Sequence, residues 1–599
     1  MPSMRNTYLS FLLAVFALFP LGVFGRVITS LSQLQTQYDF VIIGGGTAGS
    51  AVANRLSENA DVSVLVVEAG DNNVGNTNLE IPFLGVTLPG TSVDWNFTTT
   101  AQSGLNGRSI PYTRGFVLGG SSSVNLLTYH RGSDDLWNRW AQLSGDQGWS
   151  WNSVEKYYRK SSRLVPPADG RDVTGLVNPS AHGNGPVEVS VPGFPLPIDD
   201  IVLNSAKQLG GRFNFNQDFN GGNIIGIGYM QSAIGEGERS SGATAYLNPV
   251  FDRSNLDVLI NTRVTKLVNS ATSGTPHMNI VELAQSSGGP RVRVTAGKEI
   301  VLSAGVIGTP QILQLSGIGN ANDLNALGIP VILNNADVGA NLADHPLLAN
   351  YFQVQSTGTW DDVLRDSNLF GQTIGQWQAD KTGLFVDSPG NTVGFFKLPA
   401  GSPALSGIQD PSSGPKSAHT ELIFVDAFAP FGSVPQPATG NFVTVLSAVV
   451  SPTSRGTVKL ASTDPFAKPL INPNFLGTNF DIKAMVQAIH DALDFMAAPL
   501  WQQDFKPVPF GDLASATTDD LKATFAREQS VNVNHPVGTA RMSANGGVVD
   551  ANLLLKGVSG LRIVDASIFP VIPECHVQGA VYIVAERAAD LIKTAHNLS

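Results

Sequence analysis

The chain has 599 residues, 42% hydrophobic and 14% charged, which is too long for one simple core and predicts two domains or one elaborated one. A net charge of −11 argues against nucleic acid and anionic membrane surfaces as partners. Cys575 is the only cysteine, so no intrachain disulfide can form, and stability must come from packing and from a ligand bound by the folded state alone.

In chain order, Arg5, the mostly apolar run from Tyr8 to Phe24 and the small Gly25 read as an export signal over residues 1–25. The run is short for a span and is interrupted by Pro20, so a secreted, extracellular protein without a membrane anchor is expected. Asn96-Phe97-Thr98 and Asn597-Leu598-Ser599 are glycosylation sequons, which predicts a glycoprotein.

Tyr38-Asp39-Phe40-Val41-Ile42-Ile43 is a strand pattern leading into Gly44-Gly45-Gly46-Thr47-Ala48-Gly49. Val52, Ala53 and Leu56 then recur at helical spacing, and Val62 to Val67 is a second buried strand that ends in Glu68. Gly44 permits the tight turn, Gly46 lets backbone approach a pyrophosphate, and Gly49 lets helix pack on strand. The N–H groups around Thr47 and Ala48, with the helix dipole, favour the phosphates, and Glu68 can accept hydrogen bonds from an adenosine ribose. The motif predicts a dinucleotide and does not separate FAD from NAD.

A second small-residue loop runs from Arg114 to Asn125, containing Gly119, Gly120, Ser121 and Ser122. Ile300 to Pro310 reads as strand, turn and helix start, with a glycine stop at Gly317. From about 350 to 529, strands such as Phe442–Leu446 mix with loops and a helix over Phe480 to Met496, predicting an antiparallel sheet backed by helices. Near the end stand Asn534-His535-Pro536-Val537-Gly538-Thr539 and Cys575-His576-Val577-Gln578-Gly579, with Gly560 to Ser567 between them as a strand ending at Asp565. His535 and His576 are the candidate proton-transfer residues, because a neutral imidazole can take a hydroxyl proton near neutral pH. The other seven histidines, including His130 and His345, read as loop residues satisfied by backbone hydrogen bonds. No cluster has metal-ligand spacing, so no metal is expected.

Taken together, these segments resemble the glucose–methanol–choline family of flavin oxidoreductases over nearly the whole chain after residue 25. Gly115 to Asn125 resembles the first family signature, Gly305 to Gly319 the second, and the His535 and His576 loops the catalytic pair. Asp94-Trp95-Asn96-Phe97-Thr98-Thr99-Thr100-Ala101-Gln102 and Val165-Pro166-Pro167-Ala168-Asp169 look most like fungal aryl-alcohol oxidases, with pyranose dehydrogenases next. The resemblance implies an α/β fold (α+β overall), with a discontinuous Rossmann-like FAD-binding domain over 36–335 and 530–599. A substrate domain would occupy mainly 336–529.

It further implies that Gly44, Gly46, Thr47, Ala48, Gly49 and Glu68 bind the ADP half of FAD. Gly119, Ser121, Ser122 and Asn125 would line the pyrophosphate and flavin, Val264 would meet the adenine, and Asp565 would lie near the ribityl or pyrophosphate part. His535 would be the base, and His576 would align the alcohol and contact the flavin. Val124 stands where pyranose dehydrogenases carry a flavin-linking histidine, so noncovalent FAD is expected. Asn534, Leu126 and Phe428 are the candidate substrate contacts. Asn534 and Leu126 replace aromatic residues of aryl-alcohol oxidases, which removes two walls for a benzyl ring.

The expected reaction is oxidation of a primary aryl or allylic alcohol to the aldehyde, with oxygen or a quinone as acceptor, by a monomer. A sugar or oligosaccharide dehydrogenase, or a biosynthetic alcohol oxidase, is the alternative.

Overall fold

The computed structural model describes residues 27–431 and 434–598, so the expected export signal at 1–25 lies outside the described residues. Two large sheets carry the fold. In the first, strand order is Val27–Ile28, Leu256–Leu259, Val64–Val67, Gln37–Ile43, Val292–Leu302, Met278–Ala284 and Arg263–Asn269. The first five run parallel, and the last two turn back antiparallel. Leu561–Ile563, from the far end of the chain, adds parallel to Val292–Leu302 with Ile300 opposite Leu561. Phe40, Val41, Ile42 and Val64 to Val66 are fully buried, because helices cover both faces of a parallel sheet. Each such side chain contributes about 1.5–3 kcal/mol relative to exposure.

Helix Thr47–Leu56 leaves the Gln37–Ile43 strand and packs against the C-terminal helix Gln578–Ala595. The buried carboxylate of Glu586 joins the two: it accepts from Nε and Nη2 of Arg55 at 2.8–3.0 Å, and from the Tyr246 hydroxyl at 2.9 Å.

The second sheet is antiparallel, in the order Val508–Pro509, Pro346–Val354, Asn441–Val449, Thr420–Val425, Thr392–Phe396 and Gly226–Tyr229. Helix Asn479–Met496 backs it; Phe495 meets Phe424 at 5.0 Å between ring centroids. Alternation along Thr420–Val425 therefore turns Phe424 to the helix and Glu421 to the other side. Gly226–Tyr229 and Val531–Asn532 also join this sheet, so the sheet draws strands from both sides of the 336–529 segment. No helix among the described residues is long and apolar enough to cross a membrane.

Candidate active site

The first glycine loop is shaped by contact rather than by composition alone. Gly44 has φ +101°, and a Cβ there would stand 2.4 Å from the Ser303 carbonyl oxygen. A Cβ on Gly49 would stand 1.9 Å from the carbonyl oxygen of Gly44. Gly46 caps helix Thr47–Leu56 with no side-chain hydrogen bond, so the first-turn N–H groups, with Thr47 and Ala48, are left for an anion. Glu68 accepts from Gly45 N–H at 2.9 Å and Gly70 N–H at 2.7 Å, and burial raises its pKa to about 7. It braces the turn, and its carboxylate oxygens retain further acceptor capacity for ribose hydroxyls.

The second loop lands on the first. Gly119 N–H donates to the Gly45 carbonyl at 2.7 Å, and a Cβ on Gly120 would stand 2.8 Å from Gly46 Cα. Ser122 Oγ accepts from Gly242 N–H at 2.8 Å, and Ser121 Oγ from Gly115 N–H at 3.2 Å. Asn125 donates to Gln578 Oε1 at 2.7 Å and accepts from Arg239 at 2.9 Å, which ties this loop to the helix following His576. Thr262 N–H donates to the Glu68 carbonyl, so the strand carrying buried Val264 starts beside Glu68. Asp565 accepts from Gly305 N–H at 2.9 Å and from Thr309 Oγ1 at 2.6 Å, holding the second signature against the C-terminal segment. These residues fit a dinucleotide: unpaired helix-terminal donors, a Cβ-free passage and a terminal carboxylate converge on one strand end.

His535 and His576 face each other edge-on, 4.6 Å between ring centroids. Each ring is anchored by one nitrogen. His576 Nε2 lies 2.8 Å from Oε1 of Glu421, which is fully buried. His535 Nδ1 lies 3.1 Å from Nδ1 of His345. Nε2 of His535 and Nδ1 of His576 are left for a substrate. Burial, reinforced by His576 and His345, holds the His535 pKa well below its usual 6.5, so the ring is neutral at pH 7.

The loop bearing His535 is held by groups distant in sequence. Val531–Asn532 pairs with Pro346–Val354, and Val533 N–H donates to the His345 carbonyl at 3.0 Å. Asp344 Oδ1 accepts from both His345 N–H (2.7 Å) and His535 N–H (2.8 Å), while Oδ2 accepts from the Tyr112 hydroxyl at 2.6 Å. Pro310 has no N–H for the Val306 carbonyl four residues back; the Thr539 hydroxyl donates to that carbonyl at 2.7 Å and docks the loop on helix Gly305–Leu315. The Arg114 guanidinium donates to the Asn534 carbonyl.

Asn534 sits beside His535 at φ +63°, a conformation asparagine tolerates, with Oδ1 buried and unpartnered. Leu126 is half-buried close to Gly85. Phe428 is fully buried, stacked on Tyr351 at 4.0 Å, with its N–H donated to Asp361. That stacking gives it a packing role in the second core. Two of the histidines read as ordinary loop residues need correction. His345 bonds the catalytic candidate through its ring, and His130 lies 5.5 Å edge-on to His576 with both ring nitrogens buried and unpartnered. Glu421, Asp344 and Tyr112 were missed altogether. One available signal was that His345-Pro346 repeats the His535-Pro536 pair.

The chain matches the N-terminal GMC oxidoreductase family model over residues 38–347 and the C-terminal one over 452–585, and it belongs to that family. It is thus an oxidoreductase of the fold and class that the two glycine loops and paired histidines define. A pyranose dehydrogenase of Agaricus campestris is 37% identical, covering 94% of each chain. A formate oxidase of Aspergillus oryzae RIB40, studied for modification of its FAD, superposes with TM-score 0.85 at 31% identity, covering 94% of this chain and 99% of its own. A fungal aryl-alcohol oxidase superposes with TM-score 0.80 at 26% identity, covering 94% of this chain and all of its own.

Proposed function

We propose that this enzyme uses noncovalently bound FAD to oxidise a hydroxyl-bearing carbon of a sugar or oligosaccharide. The carrying observation is the opposed pair of imidazoles, each anchored through one nitrogen and open at the other. His535 Nε2 takes the hydroxyl proton, because the ring is neutral at pH 7 and keeps a nitrogen lone pair to receive it. His576 leaves Nδ1 for the same oxygen while Glu421 holds its opposite side. Bound FAD supplies the hydride acceptor, to be reoxidised by oxygen or a quinone. Gly44, Gly46, Thr47, Ala48, Gly49, Glu68, Gly119, Ser121, Ser122, Asn125, Val264 and Asp565 hold it, and Val124 offers no side chain for a flavin link.

The preference for a polyol reverses the order expected from sequence. Its support is the unpartnered Oδ1 of Asn534 next to the base, a ready acceptor for a second hydroxyl, and the removal of Phe428 into the core. The likeness to a pyranose dehydrogenase at 37% identity, against 26% for an aryl-alcohol oxidase, points the same way. A primary aryl or allylic alcohol is the second reading, favoured by the half-buried, apolar Leu126. The apolar run from Tyr8 to Phe24 supports export to the extracellular space. The test is anaerobic bleaching of the yellow holoenzyme by glucose, laminaribiose, 4-methoxybenzyl alcohol and hexadienol, each followed by oxygen or benzoquinone. Bleaching by the benzylic alcohol alone would sink the sugar reading, and no bleaching by any alcohol would sink both. Acid precipitation should release the flavin from the protein.

A further inference from the structure

We infer that His345 is a positioning residue that sets which nitrogen of His535 carries the proton, and thereby makes Nε2 of His535 the basic atom. The inference rests on His535 being the base. Its starting point is the 3.1 Å contact between the two Nδ1 atoms. A neutral imidazole has one donor and one acceptor nitrogen, so one ring must donate across this contact and the other accept. If His345 donates, His535 carries its hydrogen on Nε2, the atom left for the substrate, and it has no lone pair there to take a proton. If His535 donates, its Nε2 is bare and ready. Only the second arrangement works as a base.

The surroundings of His345 favour that arrangement. It is fully buried, and desolvation lowers its pKa to about 3, so it is neutral near pH 7. The carbonyls of Val450 and Pro573 face its ring, short of hydrogen-bond geometry for Nε2. Carbonyl oxygens near a ring nitrogen favour N–H there, which places the hydrogen of His345 on Nε2 and leaves Nδ1 as acceptor. The backbone fixes the contact, since Asp344 Oδ1 receives both N–H groups and Val533 donates to the His345 carbonyl. When the hydroxyl proton moves to His535 Nε2, the O–H bond breaks and the imidazolium keeps its Nδ1–H on His345; bound FAD would be the acceptor for the α-carbon hydride. The contact becomes charge-assisted at that moment, while the very weak basicity of His345 keeps the proton on His535. Arg114, His576, His130 and His345 all face His535 and disfavour its positive charge; His345, itself neutral, also offers its Nδ1 as an acceptor at 3.1 Å.

Two variants separate this role from packing. His345→Leu removes the acceptor, whereas His345→Asn keeps an amide oxygen near the Nδ1 position. In the holoenzyme, anaerobic flavin reduction at saturating alcohol should slow about 100-fold in the leucine variant. Substrate Kd and FAD content should be unchanged, and the asparagine variant should recover to within about tenfold of the parent. Flavin reduction by His345→Leu within about threefold of the parent would overturn the inference. So would an asparagine variant as slow as the leucine one with full FAD, which would assign His345 to packing. If either variant fails to fold, nitrogen NMR of the histidine-labelled parent decides directly: Nδ1–H on His535 supports the inference, and Nε2–H refutes it. A parent that no alcohol bleaches would overturn the oxidoreductase reading instead, independently of these variants.

Discussion

Glu421 offers the sharpest quantitative test of the site. Its side chain is fully buried, Oε1 lies 2.8 Å from His576 Nε2, and Oε2 is buried without a partner. Glu421→Gln keeps an acceptor at Oε1 and removes the charge. If His576 carries positive charge as the alcohol oxygen becomes anionic, the carboxylate contributes as a charge-assisted bond, about 1.5–3 kcal/mol. The amide retains roughly 0.5 kcal/mol of that, so the net loss is about 1–2.5 kcal/mol. Flavin reduction should therefore slow about 5- to 70-fold, since 1.4 kcal/mol is a factor of ten. The half-satisfied buried carboxylate also costs solvation, so Tm should stay level or rise. Anaerobic stopped-flow absorbance of the flavin measures the first quantity and thermal unfolding the second. Reduction within twofold of the parent, with FAD retained, would refute a charged His576 and leave Glu421 as an orienting group only.

Glu586→Ala leaves Arg55 and the Tyr246 hydroxyl without their buried partner, and should cost about 3–5 kcal/mol; a urea-midpoint loss worth under 1 kcal/mol would contradict this. Gly49→Ala forces a Cβ to 1.9 Å from a backbone oxygen, and should yield protein with little or no FAD by its absorbance ratio; a fully yellow variant would contradict it. His345 has a folded pKa of about 3 against about 6.5 unfolded, so between these values the unfolded chain binds the extra proton and acid destabilises the fold. That contribution is fully absent above pH 6.5 and reaches about 2 kcal/mol at pH 5. Buried Asp387 and Glu68, both raised to about 7, act in the opposite direction, so the comparison must be with His345→Leu. The variant should lose about 2 kcal/mol less than the parent between pH 7 and pH 5 in urea melts, and equal losses would contradict the assignment.

The nucleotide half was legible because its signal is local. Gly44 to Glu68 contains the turn, the helix start, a strand and the carboxylate in one stretch, and Gly44 and Gly49 are required by contacts with Ser303 and within that unit. The histidine pair was legible because both rings sit in short glycine-bearing loops. Their supports were not, since Glu421 lies 155 residues from His576 and His345 lies 190 residues from His535. The antiparallel pairing of Val531–Asn532 with Pro346–Val354, with Asp344 bridging both N–H groups, brings the second pair together, and no periodicity encodes that register. The surroundings of Phe428 were hidden for a related reason: Asp361, which accepts its N–H, lies 67 residues away, and Tyr351, which stacks on its ring, is also remote in sequence.

The late strand Leu561–Ile563 has a consequence for how the enzyme comes into being. It fills a place beside Val292–Leu302, and Asp565 just after it pins Gly305. A ribosome adding roughly 5–20 residues per second exposes the glycine loops long before this strand emerges. During that interval the nascent chain holds an unfinished parallel sheet with an open, apolar edge, a surface suited to chaperones and prone to aggregation. A chain cut short before residue 561 lacks the strand beside Val292–Leu302, the Asp565 carboxylate that accepts from Gly305 N–H, and His576.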